Sequence, residues 1–320
     1  MMSGPDFKAK QLVFAFFSKG EKLSFRNDNV VIKDKEDQVI YQVSCYRVFA
    51  LFIIGHATIT SGLIERANKF KFPIVLMNQS FKRYGFLSSA TNGNTTLKRK
   101  QYQVDDLVIG RAIIQNKVTN QLQLLKEIRH KDDTLKEEIR MMKSYLSALD
   151  EANDLKSILG LEGSASRIYF HNVFDTLNWS ARRPRVKHDS VNCLLDIGYT
   201  LLFNLIEALL DIYGFDTYVG VLHREYYMRK SLVCDMIEPF RPIVDGKLRK
   251  MYHLGQVDEK DFHIRKGAYN LSWQRSPKYV NLLMEELLSY KMELFLYIQG
   301  YYRAFMKDKA IPDYPRFVIG

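Results

Sequence analysis

The sequence predicts an α+β protein, with a small N-terminal β-rich domain over residues 1–100 joined to a larger all-α domain over residues 101–320. Three observations predict it. Before residue 100 the apolar residues come in short, strand-length runs broken by turn residues. Beyond residue 104 they recur with the 3.6 period of a helix. The length, 320 residues, exceeds what one core usually holds, the soft prior being about 150 residues per domain.

The elements follow in order. Residues 12–17, 30–33 and 39–43 are apolar or alternating, with Lys19-Gly20-Glu21 and Asn27-Asp28-Asn29 as punctuation, and read as strands. Residues 47–54 are β-branched and aromatic and form another strand. Ile64 and Ala67 give residues 60–70 a helical face, and residues 72–77 and 84–87 return to strand character. Residues 88–100 carry Thr-Asn-Gly-Asn-Thr-Thr and then Lys98-Arg99-Lys100, a composition that reads as a linker or mobile loop. Beyond it Leu107, Ile114, Val118, Leu122 and Leu125 form a helical stripe. Residues 126–143 are dense in both charge signs. Glu127–Lys131 and Asp132–Lys136 stand four apart with the acid first, the favourable order on a solvated helix or helical hairpin. Residues 190–213 and 277–306 are also helical; in the latter Glu286 and Glu293 fall opposite Met284, Leu288 and Phe295.

Composition bounds the function. Hydrophobic residues make up 47% and charged residues 26%, which excludes a disordered or fibrous chain. Lys plus Arg, 47, against Asp plus Glu, 36, leaves a net charge of +11, which favours a polyanionic partner. Cys45, Cys193 and Cys234 are too far apart for a CxxC pair, so neither a disulfide framework nor a cysteine-rich zinc site is expected, and a reducing compartment is. The apolar stretch at 48–54 is far short of a membrane span, and Asn204, Glu207 and Asp211 interrupt the longer one at 199–213. The first residues do not read as a signal peptide, and the expected location is cytoplasmic.

Motifs remove further classes. There is no GxxxxGK[ST] loop, GxGxxG, HExxH or GxSxG. His223-Arg224-Glu225 fits half of a nucleobase-deaminase signature, but the PCxxC half is missing. What remains is acidic and histidine chemistry among basic residues. Glu162 follows a turn expected at Gly160, where a carboxylate is favoured by the dipole of a starting helix whether or not it has a further role. His223 ends the apolar run Val219-Gly220-Val221-Leu222; one such histidine is ordinarily structural. Asp235 and Glu238 stand three apart, so on a helix both would share a face, although an acidic helix start beside Arg241 explains them equally. Together, two carboxylates and an imidazole suit Mg²⁺ or Mn²⁺, the ions of phosphoryl chemistry. The basic clusters Lys98-Arg99-Lys100, Arg182-Arg183-Pro184-Arg185 with Lys187, Lys247 with Arg249 and Lys250, and Arg265-Lys266 supply a complement for nucleic-acid phosphates.

The order and spacing of four blocks resemble the CRISPR-associated integrase of spacer acquisition, the Cas-one family, often described as an endonuclease. The blocks are Leu161-Glu162-Gly163 through Phe170; Arg182-Arg183-Pro184 with Asp189-Ser190-Val191-Asn192-Cys193 and Gly198-Tyr199-Thr200; Tyr218-Val219-Gly220-Val221-Leu222-His223; and Ser231-Leu232-Val233 through Asp235-Met236-Ile237-Glu238-Pro239-Phe240-Arg241-Pro242. Lys117 and Asn120 sit in a family-like helix. Arg185 departs from the family, which often has a second proline there.

The resemblance implies an N-terminal β domain that dimerises and a helical domain that binds metal and DNA. It implies Glu162, His223 and Glu238 as ligands of Mg²⁺ or Mn²⁺, with Asp235 as a further acidic catalytic residue. Lys98, Arg99, Arg182, Arg183, Arg185, Lys187, Arg241, Lys247 and Arg249 are the candidate DNA contacts. It also implies a homodimer, assembly with a small partner protein (Cas-two) into a heterohexamer, and insertion of prespacer 3′-hydroxyl ends into a CRISPR array of double-stranded DNA. A metal-dependent nuclease that cuts without joining, and a catalytically idle DNA-binding scaffold, are the rival expectations. Pro239 lacks an N–H and disfavours the helical conformation at Glu238, so a bend is expected there.

Overall fold

The computed structural model describes residues 3–17, 20–79, 81–87, 94–104, 107–177, 179, 181–183, 186–223 and 226–320. The chain divides into two compact units, residues 1–98 with Glu207–Phe215, and residues 99–206 with 216–320. The β-rich beginning and helical remainder are the predicted α+β class.

The first unit begins with α1 (Gly4–Ala9), capped by Ser3, and β1 (Gln11–Phe17). Next come β2 (Lys22–Arg26), β3 (Asn29–Lys33), β4 (Val39–Ser44) and β5 (Val48–Gly55), then α2 (Ser61–Phe70), β6 (Ile74–Met77) and β7 (Arg83–Leu87). Among the described residues its strands form one sheet in the order β1-β5-β6-β7 and a second in the order β2-β3-β4. The central strand β5, VFALFIIG, is buried throughout because β1 and β6 flank it in parallel and no side faces water. Parallel β5 and β6 need a crossover, which α2 supplies. The β2–β3 turn places Asn27 and Asp28 at φ 48° and 55°, the left-handed conformations that Asn and Asp tolerate in a tight hairpin. Val13, Phe17, Val30, Leu51, Ile53, Leu63 and Ile74 share this unit's core.

The second unit is helical: α3 (Thr95–Gln103, mostly here), α4 (Leu107–Lys126), α5 (Asp133–Glu151), α6 (Leu155–Val173), α7 (Ser190–Tyr213, up to Ile206), α8 (Ser231–Ile237), α9 (Arg241–His253), α10 (Ser276–Ser289) and α11 (Lys291–Met306). A hairpin, β8 (Phe262–Arg265) and β9 (Ala268–Leu271), interrupts the helices, with Arg265 and Lys266 at its tip. Helix α4 is the hub, packing against α5, α6, α9 and the 3₁₀ turn Glu238–Phe240. Helix α7 is long and apolar enough to cross a membrane, but 83% of its most apolar window is buried in the fold, as in a core helix.

Three local expectations change. Lys98, Arg99 and Lys100 lie on α3, anchored by fully buried Leu97, while residues 88–93 of the expected linker lie outside the described residues. Asp132 accepts from Leu135 N at 2.7 Å and caps α5, so Lys136 pairs with Asp133 at 2.9 Å instead. The helix expected over 277–306 breaks at Tyr290, between α10 and α11.

Candidate active site

Glu162 lies inside α6, not at its start. Neither Gly160 nor Gly163 has a neighbour within 4 Å of where a Cβ would stand, so both glycines sit on an open face and the helix runs through them. One turn further on, Ser166 Oγ donates to Glu162 Oε1 at 2.8 Å. From α4, Lys117 reaches the same oxygen with Nζ at 2.5 Å, and stands 2.6 Å from Glu238 Oε2. Positions 117, 162 and 238 thus meet around one ammonium.

Glu238 opens the 3₁₀ turn between α8 and α9 and is 3% exposed. Pro239 does not drive it out of the helical region, because φ −55° and ψ −47° are retained. The chain changes instead from α-helix to 3₁₀ and back, with the Glu238 carboxylate buried at that change. Asn120 on α4 fixes that turn by donating to Pro239 O at 2.9 Å. Its side chain also bonds Phe317 O at 3.1 Å and accepts from Ile319 N at 3.1 Å, tying the chain's last residues to the same helix. Burial pushes the Glu238 carboxyl up, but Arg241, at 3.0 Å from Oε1, and Lys117 outweigh it and hold the pKa at about 2. Burial lowers the Lys117 pKa; Glu238 and Glu162 more than reverse this, and the net shift is upward. The lysine is therefore an ammonium.

His223 sits on a bend at the end of the Gly220 loop. Fully buried Asp235 organises that loop: Oδ2 accepts from Val221 N (2.7 Å) and Leu222 N (3.1 Å), and Oδ1 from His223 N (3.0 Å). The fourth partner of Asp235 is the His223 ring, with Nδ1 at 2.6 Å from Oδ1. A carboxylate only accepts, so Nδ1 carries a proton, and in the neutral ring that leaves the lone pair on Nε2. Gly220 is required, since a Cβ there would stand 2.6 Å from Asp235 Oδ2 and 2.8 Å from Ser231 Cβ. Both Asp235 oxygens are committed to the loop, so it positions His223.

Behind Arg241, Asp245 accepts from Tyr199 Oη at 2.5 Å and Tyr169 Oη at 2.9 Å. Burial raises its pKa to about 6 against those hydrogen bonds. The Tyr199 ring lies under the Arg241 guanidinium, 4.9 Å away. Composition did not reveal this support, since abundant tyrosines are ordinarily core packing.

The candidate DNA contacts divide. Arg182 is held by Asp196 at 2.5 Å and Asn192 at 3.0 Å, Arg241 by Glu238, and Lys247 by Glu286 at 3.4 Å. Arg99 and Arg183 are exposed, whereas Lys98, Lys187 and Arg249 are half-buried. Arg185 lies outside the described residues. A cavity of about 940 Å³ beside α9 is lined by Lys247, Arg249 and Lys250 but also by Glu127, Asp175 and Glu286, and touches none of Glu162, His223 and Glu238.

Among the described residues no three His, Cys, Asp or Glu side chains form a ready cation cluster: Lys117 stands between Glu162 and Glu238, and the ring of His223 is bonded to Asp235. The donor set nevertheless fits a hard divalent cation. Two carboxylates already gather about one positive charge, Nε2 of His223 is uncommitted to Asp235, and Glu238 Oε2 is buried without a well-directed hydrogen bond.

The profile of the family described as CRISPR associated protein Cas1 matches residues 14–285. The chain belongs to the Cas1 family. A CRISPR-associated endonuclease Cas1 of Thermodesulfovibrio yellowstonii is 28% identical over 278 residues, covering 81% of this chain and 86% of that one. Among solved structures, a Cas6-RT-Cas1–Cas2 complex superposes with a TM-score of 0.81 at 23% identity, covering 97% of this Cas1-family chain and 36% of the other. A casposase bound to its integration product gives a TM-score of 0.77 at 21% identity, covering 97% and 96%. At those identities the superpositions establish a shared Cas1 fold.

Proposed function

We propose that this Cas1-family chain is the integrase of CRISPR spacer acquisition, joining prespacer 3′-hydroxyl ends to the array by metal-dependent transesterification. The observation that carries the reading is the meeting of Glu162 and Glu238, remote in sequence, around one cationic centre, together with a His223 ring held in one orientation by Asp235. Glu162 and Glu238 would hold Mg²⁺ or Mn²⁺ through carboxylate oxygens and His223 through Nε2. A divalent cation at that place lowers the pKa of an attacking hydroxyl and offsets charge developing on the phosphoryl oxygens. Asp235 keeps the imidazole in the tautomer that ligates. Arg241, buttressed by Tyr199 and Asp245, holds Glu238 ionised. One phosphodiester is exchanged for another, so no nucleotide hydrolysis is needed, in keeping with the missing Walker loop.

The net charge of +11 and the exposed Arg99, Arg183, Arg265 and Lys266 support double-stranded DNA as the partner. A structural relative that is a Cas6-RT-Cas1–Cas2 complex supports a small Cas2 partner, and a casposase bound to its integration product supports a joining reaction. A homodimer built on residues 1–100 belongs to the same reading. The relatives' endonuclease description also fits cutting, with water in place of the 3′-hydroxyl. Incubating the protein with prespacer duplex, array DNA, Cas2 and Mn²⁺ tests the reading. Joined products that vanish in Glu162→Gln and His223→Ala, with DNA binding kept, are expected; cleavage without joining under every condition would replace the integrase with a nuclease.

A further inference from the structure

Within the ion-pair set of Lys117, Glu162, Glu238 and Arg241 the charges balance without any metal. Two cations, Lys117 and Arg241, face two anions, Glu162 and Glu238, all within ion-pair distance of a partner. Lys117 and Glu238 are 7% and 3% exposed, so any charge left unpaired there is costly. A dication added to this set would compete with the ammonium for the same oxygens, and the two would repel each other across a few ångströms of low-dielectric interior. Both cannot hold the inner oxygens Glu162 Oε1 and Glu238 Oε2 together.

We propose that Lys117 is a placeholder cation, which keeps the two glutamates in place in the free protein and is displaced when a divalent cation enters. The inference rests on the metal reading above and adds a consequence to it. Once displaced, the ammonium lacks a carboxylate partner and the centre carries excess positive charge. A DNA phosphodiester is an anion of matching chemistry, so metal and DNA phosphate bind cooperatively. Free protein holds the metal weakly, and the centre charges fully only on substrate. Such coupling would restrain cutting in the absence of DNA ends.

The test is Mn²⁺ titration of the full chain by calorimetry, with and without a short DNA duplex, alongside thermal melts. Lys117→Met should bind Mn²⁺ at least about tenfold more tightly than wild type without DNA, because repulsion of about that size is removed. Its melting temperature should fall without metal and recover with Mn²⁺. Lys117→Gln keeps neutral hydrogen bonds to both carboxylates and provides a folded variant if Lys117→Met is too unstable; it too should bind more tightly. Lys117→Arg should stay weak, and DNA should tighten Mn²⁺ binding in wild type far more than in Lys117→Gln. Equal or weaker Mn²⁺ binding by both neutral variants, with Glu162→Gln abolishing it, overturns the placeholder. Binding that survives Glu162→Gln and His223→Ala instead overturns the ligand assignment on which it rests.

Discussion

Replacing Asp235 with alanine tests how the histidine loop is built. The side chain is fully buried and receives four hydrogen bonds, from the amides of Val221, Leu222 and His223 and from His223 Nδ1. Each donor left without a partner away from water costs about 1–3 kcal/mol. Leu222 is 4% exposed and cannot recover a water, whereas the half-buried Val221 and His223 recover part of the loss. Allowing for that relaxation, the sum is about 3–5 kcal/mol, in the range of broken buried networks. Asp235→Asn keeps the shape and one accepting oxygen and should lose about half as much. Urea denaturation gives the stability, and nitrogen chemical shifts of the His223 ring report the tautomer, which should become mixed in both variants. If Asp235 were instead a metal ligand with no part in the loop, Asp235→Ala would keep near-wild-type stability and an unchanged His223 ring. A loss below about 1 kcal/mol with a fixed tautomer therefore refutes the reasoning.

Gly220→Ala drives a methyl to 2.6 Å from the same buried carboxylate, so a loss of about 2–4 kcal/mol by urea denaturation and a displaced His223 are expected; wild-type stability would contradict it. Asn120→Ala frees Pro239 O and Ile319 N together, and should cost about 2–4 kcal/mol while speeding proteolysis of the last residues. The buried carboxyls give opposite pH slopes. Glu238, lowered from 4.5 to about 2, contributes stability that is present above pH 4.5 and lost as pH falls through 2. Asp245, raised from 3.8 to about 6, contributes stability that is full below pH 3.8 and lost as pH rises through 6. Asp245→Asn should therefore remove a decline of about 2 kcal/mol between pH 4 and 6, measured by denaturation at both values; an unchanged decline would contradict it.

The sequence carried the strands that are apolar on one or both faces, such as β1 and β5, because burial selects their residues directly. It missed β2, whose Lys22, Ser24 and Arg26 are half-buried or exposed and leave little apolar signal. The contents of the site were legible as residue types, but their arrangement depended on contacts between distant positions. Glu162 looked like a helix start because glycines flank it, yet glycines on an open face do not stop a helix. Lys117 had no local signature of its role. A buried lysine and a solvated one read alike until positions 45 and 121 residues further on supply its carboxylates. Arg182 likewise looked free to meet DNA, and Asp196, one more turn into α7, is what holds it.

The central claim is that Glu162, Glu238 and His223 share one divalent cation. Anomalous diffraction from crystals grown with Mn²⁺ tests it most directly. The account predicts one strong peak about 2.0–2.3 Å from an oxygen of each glutamate and from Nε2 of His223. A Mn²⁺ peak held by other residues, or none in crystals of a protein that joins DNA, would contradict it.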